Sequence, residues 1–335
     1  MLPFVARRLA ALVVVLLGMS LVTFVITNLL PADPARVSAG PHASNADVER
    51  VRRELGLDRP LYIQYAVYVR NLATGNLGTS VRSRQPIAAE IRRHIAATVE
   101  LTLVAIVVYV AIAVPLGVIA AAHRAGWVDS LTRLGAVGGS AVAPFWLALL
   151  LQLVFYRMLA WLPAGGRLPL DVPPPPAVTG LFLVDSLLAG DLHTLGIAAR
   201  HMVMPVTALA LGRLGLTTRM TRAQMVLELA QDYVRTARAK GQAERVVLYR
   251  HALQNALNPI VTMVGIQTAY LLSGTVLVEG IFRWPGLGQY ALDAIIEMDV
   301  PAVLGVALTS SLFFVLVNLA VDVFYATMDP RVRVS

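Results

Sequence analysis

The chain has 335 residues, of which 57% are hydrophobic and only 14% charged, and its mean hydropathy is +0.68. An ordinary soluble domain carries about 25% charged residues, so this composition excludes that class and selects a bilayer protein. No cysteine is present, which excludes a disulfide framework and thiolate metal sites. The net charge of +8 is spread over several polar segments rather than gathered on one basic face, which disfavours nucleic acid as a partner.

A span needs roughly 20 apolar residues to cross about 30 Å of hydrocarbon. The first candidate is the uncharged run Leu9 to Ala32, preceded by Arg7 and Arg8, and the first segment is residues 1–32. It is longer than the apolar region of a signal peptide and no small-residue cleavage site follows it before Pro31 and Pro34, so an anchored span is expected. Residues 33–100 form a polar insert with ten Arg and seven acidic residues. Short amphipathic helices are predicted at Val48 to Leu55 and at Ile87 to Ile95, and Gly56 and Pro60 mark turns, so a small packed cap is expected.

Residues 101–335 hold the remaining apolar runs, with spans predicted near 101–122, 134–156, 202–218, 258–278 and 301–321. The run at 202–218 is the weakest, because Arg213 interrupts it. Between 156 and 202 lie the proline run Pro173 to Pro176, which is extended or turning, and the apolar LFLVDSLLA, read as an interfacial helix. The fold class is therefore an all-α membrane protein of about six transmembrane helices.

Orientation follows from basic residues in short loops. Eight basic residues from Arg213 to Arg250 face only Glu228, Asp232 and Glu244, whereas Glu279 to Asp299 carries Arg283 against four acids. Both termini and the loop 219–257 are thus expected in the cytoplasm, and the 279–299 loop outside. The basic insert 33–100 is also assigned outside, since loops above about 60 residues translocate largely regardless of charge.

Several chemistries are missing. The five strong runs contain no Asp, Glu, Lys, Arg or His, unlike carriers driven by ion gradients. Lys240 is the sole lysine and precedes Gly241, so no phosphate-binding loop of the Walker type exists. Neither a zinc-protease helix nor a nucleophile elbow is present, and the six histidines have no metal-ligand spacing. Asn28, Ser140, Gln152, Gln267, Ser273 and Asn318 lie in spans, where hydrogen bonding between helices accounts for most of them.

The segment Asp232 to Pro259 stands apart. Its pattern is helical from Met225 to Ala239, with Leu229, Tyr233, Val234 and Ala237 on one face and Arg235 and Arg238 on another. Gly241 suits a left-handed helix end, and Pro259 suits the first turn of the next span. Such a basic helix-turn-helix fits docking to an acidic groove or anchoring to anionic lipid.

This segment resembles the cytoplasmic coupling loop of ATP-binding-cassette importer permeases, patterned E-A-A-x-x-x-G, nine residues, then I-x-L-P. Arg235, Thr236 and Ala237 occupy the first positions, Gly241 the glycine, and His251, Leu253 and Gln254 the last. The versions Y-V-R-T-A-R-A-K-G and R-H-A-L-x-N-A-L-x-P are those of the peptide branch. L-G-L-D-R-P-L-x-x-Q-Y and L-x-x-G-N-L-G-x-S between Leu55 and Ser80, the stretches Leu162 to Gly165 and Pro174 to Asp185, and V-E-G-I-F-R-W-P-G-L-G with M-D-V-P after it resemble the same branch. Met298 departs from the usual Arg of that last motif.

The resemblance is to the B-type permease of the dipeptide/oligopeptide (peptide/nickel) family. It implies a bacterial inner-membrane subunit, non-catalytic itself, with a C-type permease, two cytoplasmic ATPases carrying ATP-Mg, an extracytoplasmic substrate-binding protein and surrounding lipid as partners. It implies that no cofactor or metal is bound by this chain. Asp232, Tyr233, Arg235, Thr236, Ala237, Arg238, Lys240 and Gly241 would couple to an ATPase. Glu279, Phe282, Trp284, Pro285 and Gly286 would form a binding-protein contact or outer gate, the competing reading being a Pro-Gly turn with an interfacial Trp. Cargo would be short peptides, with nickel, glutathione and oligosaccharide as alternatives within the family. A stand-alone secondary transporter or channel is the alternative of another class.

Overall fold

The computed structural model describes residues 2–29, 44–54, 56, 58–124 and 126–328, and the regular elements among them are helices. The end of the expected first span, the start of the cap, Leu55 and Leu57 of the first motif, and the C-terminal residues 329–335 lie outside the described residues. So do the side chains of Asn28, Ser140 and Ser273. In chain order the helices are α1 (Leu2–Leu29), α2 (Asn45–Glu54), α3 (Leu61–Ala73), α4 (Ile87–Ala122), α5 (Trp127–Ala141), α6 (Pro144–Leu151), α7 (Phe182–Leu188), α8 (Leu192–Leu229), α9 (Asp232–Ala239), α10 (Glu244–Val246), α11 (Leu253–Ile281), α12 (Leu287–Ile296) and α13 (Val300–Met328).

Three described helical stretches are long and apolar enough to cross a membrane, Ile87–Ala122, Leu192–Leu229 and Val300–Leu319, while the apolar stretches Ala10–Ile26 and Pro144–Met158 are shorter.

Four expectations about helix ends are revised. The predicted helix at Ile87 to Ile95 is not separate but forms the first turns of the 36-residue α4, because no glycine or proline intervenes before Pro115. The span expected at 134–156 is broken: Val142 and Ala143 are extended, at ψ 127° and 135°. The pyrrolidine ring of Pro144 forces its predecessor out of the helical region and then starts α6. The weak fourth run is part of a continuous 38-residue helix, α8, whose N-terminus is capped by Asp191 Oδ1 accepting from the Thr194 N–H at 3.0 Å. Pro259 lies inside α11 rather than in its first turn, since the helix starts at Leu253 after a π-helical turn at Val247–Ala252. Transmembrane helices accommodate such prolines because neighbouring groups re-satisfy the freed carbonyl.

The chain divides into two compact units, residues 1–95 with 290–316 and residues 96–289 with 317–335. In the first, α3 lies along α1, where Tyr65 Oη donates to the Leu17 carbonyl at 3.1 Å and Phe24 meets the Tyr65 ring edge-on at 5.4 Å. The turn before α4 is tied by Ser80 Oγ donating to Asp299 Oδ2 at 2.5 Å and by an Arg82–Glu297 ion pair at 2.7 Å.

In the second unit α8 is the central helix, packing against α5, α6, α7 and α11. Leu101 and Tyr109 of α4, Met202 and Leu209 of α8, and Leu271 and Val278 of α11 form one core, and Val118, Met225, Ala256 and Ile260 form another. Close approach depends on small residues, as in membrane bundles generally. A Cβ at Gly117 would lie 2.7 Å from Thr221 Cγ2 and 2.9 Å from the Thr218 carbonyl oxygen.

Candidate functional site

The basic segment after α8 forms a compact two-helix module. α8 ends at Leu229, Gln231 is extended at ψ 152°, and α9 begins at Asp232, so the helix expected from Met225 to Ala239 is in fact two. Val234 and Ala237 are buried on Val247, with Leu229 beside them. Lys240 is the C-cap and Gly241 follows at φ +73°. The Gly241 N–H donates to the Arg238 carbonyl at 2.9 Å and the Gln242 N–H to the Ala237 carbonyl at 3.3 Å. That pair of bonds is a Schellman turn, which needs the left-handed residue that glycine supplies without a Cβ penalty.

The turn fixes what the module presents. Asp232, Arg235, Thr236, Arg238, Lys240 and Gly241 are exposed, while Ala237 is buried. Tyr233, expected on the packed face, is 37% exposed, its hydroxyl donating to Glu228 Oε2 at 2.6 Å. Arg238 donates from Nε and Nη2 to both oxygens of Glu244, at 3.1 and 2.6 Å, bridging the two helices. These bonds hold the Glu244 carboxyl below its ordinary value. A depressed carboxylate stabilises above its unfolded value of about 4.3 and loses that contribution as pH falls through the folded value. Because both partners are about half exposed the contribution is a few tenths of a kcal/mol. His251 Nε2 donates to Gln242 Oε1 at 2.6 Å, closing the module from the π-helical turn before α11.

The second predicted cluster lies where α11 ends, and most of it faces inward. Glu279, Phe282 and Trp284 are at most 1% exposed. Glu279 Oε1 accepts from Thr98 Oγ1 at 2.8 Å, and Oε2 accepts from the N–H groups of Gly288 and Gln289 at 2.7 and 3.2 Å. The carboxylate therefore caps the first turn of α12, where free amides and the helix dipole favour negative charge. Trp284 Nε1 donates to the Ala97 carbonyl at 2.8 Å. Gly286 is buried, and a Cβ there would overlap Glu279 and Thr98. Arg283 and Pro285 are the exposed members of this turn.

Three further residues complete this corner, Glu100 and Arg167, which the motifs do not mark, and Asp185, the last residue of the Pro174 to Asp185 stretch. Glu100, at the head of an apolar run, accepts from Arg167 Nη2 at 2.5 Å and from the Leu183 N–H at 2.7 Å. The Arg167 guanidinium lies 3.4 Å above the Phe182 ring, and the side chains of Arg167 and Glu100 are at most 9% exposed. Asp185 accepts from the N–H groups of Thr179 and Gly180 at 2.8 and 2.9 Å. The Gly166 N–H donates to the Phe282 carbonyl at 2.8 Å, so the loop before α7 is locked to the corner. Gln152, predicted as helix glue, ties both a loop and a helix: its Nε2 donates to the Ala164 carbonyl at 2.8 Å and to the Ile281 carbonyl at the end of α11 at 3.4 Å. At the other end of α8, Arg222 grips Asp129 of α5 in a fork at 2.5 and 2.7 Å.

No described cluster of His, Cys, Asp and Glu could hold a metal ion. The long apolar helices, with the exposed basic two-helix module beside them, are those of an integral membrane protein. The family described as binding-protein-dependent transport system inner membrane component matches residues 113–334, and the N-terminal model of the same kind of component matches residues 1–102. The chain belongs to this family.

Among its relatives, the probable D,D-dipeptide transport system permease protein DdpB of Escherichia coli (strain K12) is 43% identical over 97% of this chain and 96% of its own length. The dipeptide transport system permease protein DppB of Alkalihalophilus pseudofirmus is 42% identical over 99% of this chain and all of its own. The glutathione transport system permease protein GsiC of Escherichia coli O6:H1 is 39% identical over 99% of both.

Proposed function

We propose that this chain is the B-type permease subunit of an ATP-binding-cassette importer and forms half of the translocation path for short peptides delivered by a substrate-binding protein. The observation that carries the reading is the two-helix module at 232–252: a rigid, basic knob held by a Schellman turn on the end of the central helix α8. Movement at the knob passes directly into α8. Names of close relatives that span nearly the whole chain supply the peptide cargo, and the glutathione permease likeness favours glutathione next.

In this reading ATP-Mg is bound and hydrolysed by two cytoplasmic partners, a C-type permease completes the path, and lipid surrounds both. The termini and the knob are cytoplasmic, and the insert 33–100 and the corner at Glu279 are outside. Asp232, Tyr233, Arg235, Thr236, Arg238 and Lys240 meet an ATPase, with Ala237 and Gly241 holding the knob's shape. At the corner, Arg283 and Pro285 are the contact residues toward the binding protein, while Glu279, Phe282, Trp284 and Gly286 hold the turn. The chain itself is non-catalytic and binds no cofactor.

Affinity purification in mild detergent, with mass spectrometry and an ATPase assay, tests the reading. Recovery of a second permease and two ATPases is expected, and the double reversal Arg235→Glu, Arg238→Glu is expected to abolish binding-protein-stimulated hydrolysis. A lone protein that moves solute in liposomes on an ion gradient would instead establish the stand-alone transporter.

A further inference from the structure

Arg213 is the one charged residue in the six apolar runs, and it stands deep in its helix, 21 residues from Leu192 and 16 from Leu229. At 1.5 Å per residue those are about 32 and 24 Å. Its Nη2 donates at 3.2 Å to the carbonyl of Tyr270, which is also deep, 17 residues from Leu253 and 11 from Ile281 in α11.

An arginine near a span end normally reaches along its helix to the headgroups. Arg213 does not reach for the nearer, basic end at Arg219 and Arg222. Its side chain leans toward the helix N-terminus, as helical side chains do, and its tip lies beside Gly274, level with Leu209 one turn earlier. The other contact is the Tyr270 ring, 5.9 Å from the guanidinium carbon. Among the described residues no carboxylate pairs with it.

An unspent donor stands on the face of α11 that carries Tyr270 and Gly274. Gln267 precedes Tyr270 by three residues and Gly274 by seven, the spacing of one helix face. Its side chain is 3% exposed and its Nε2 has no acceptor. A buried donor left unmade costs about 1–3 kcal/mol, and an uncompensated guanidinium in hydrocarbon costs more. Both costs vanish if this face of α11 borders an aqueous path whose solute brings acceptors. Next to the buried amide the surface is open in the single chain, with Ile266 48% and Tyr270 59% exposed.

We infer that Arg213 and Gln267 form a binding site in the translocation path for the carboxylate end of the cargo, the guanidinium taking the carboxylate and the amide an adjacent acceptor. This rests on the peptide-importer reading and sharpens it: an unpaired cation in the path suits free peptides and glutathione, which carry carboxylates, and repels a nickel cation.

The test is uptake of radiolabelled dialanine into proteoliposomes holding the complete co-purified complex with its binding protein. Arg213→Gln is expected to lower uptake about tenfold or more, the worth of a hydrogen bond to a charged group, while Arg213→Lys retains most of it and Gln267→Leu loses part. Assembly with the second permease is expected to be unchanged in all three. Wild-type uptake by Arg213→Gln overturns the site and leaves the peptide reading standing. Loss of the second permease from Arg213→Gln also overturns it, assigning the charge to a partner subunit. A wild-type complex that carries no dialanine while its binding protein binds it overturns the peptide reading and the site together.

Discussion

Gly165 and Gly286 sit at points where the corner leaves no room for a methyl group: a Cβ would overlap the Phe282 carbonyl at the first and the Glu279 carboxylate at the second. Neither needs glycine for backbone freedom, since neither has a positive φ. Gly165→Ala is expected to destabilise by about 1–3 kcal/mol through overpacking, read as a lower thermal midpoint in detergent. Gly196→Ala, a helical position with nothing within 4 Å of the added atom, is expected to be neutral or slightly stabilising in the same assay. The motif containing Glu279, Trp284 and Gly286 was legible in the sequence, but its inward direction was not. Nothing local tells a carboxylate at a span end that its partners are Thr98, 181 positions away, and the amides of the next helix.

At the scale of elements, the knob depends on its stop as much as on its charge. Gly241→Ala places a side chain at φ +73° and is expected to cost about 1 kcal/mol. The expected readout is weaker binding-protein stimulation of ATPase activity with the complex still assembled, while Lys240→Ala next to it leaves stimulation largely intact. Val234→Asp buries a charge against Val247 and is expected to release the ATPases during purification. Glycine after a basic helix marked this stop in advance, because a helix end with a left-handed residue is a local, nearly context-free event. The break at Ala230 and Gln231 carried no such mark. It follows from folding Val234 and Ala237 back onto Val247, a contact between two elements.

For the molecule as a whole, the Arg222–Asp129 fork joins α5 to the central helix near its basic end, with the Asp129 side chain 1% exposed. Removing one partner strands the other charge, which costs about 3–5 kcal/mol, whereas replacing both with apolar residues of similar size is nearly neutral. Asp129→Ala is therefore expected to lower the thermal midpoint of the purified complex markedly. The double variant Asp129→Leu, Arg222→Met is expected to recover most of that loss. Full recovery of stability with impaired transport would place the pair in the conformational cycle rather than in folding.

Composition alone determined that this is a helical membrane protein, because the length and polarity of apolar runs set what a bilayer accepts. Spacing alone located the basic knob and its terminating glycine, because helix periodicity and left-handed backbone are properties of a few consecutive residues. Only the tertiary structure decided that α8 runs unbroken past Arg213 and that Glu100, Asp129 and Glu279 are spent inside the protein. Those outcomes depend on groups tens to hundreds of positions away, and a buried charge is stable only beside the partner that the fold brings to it.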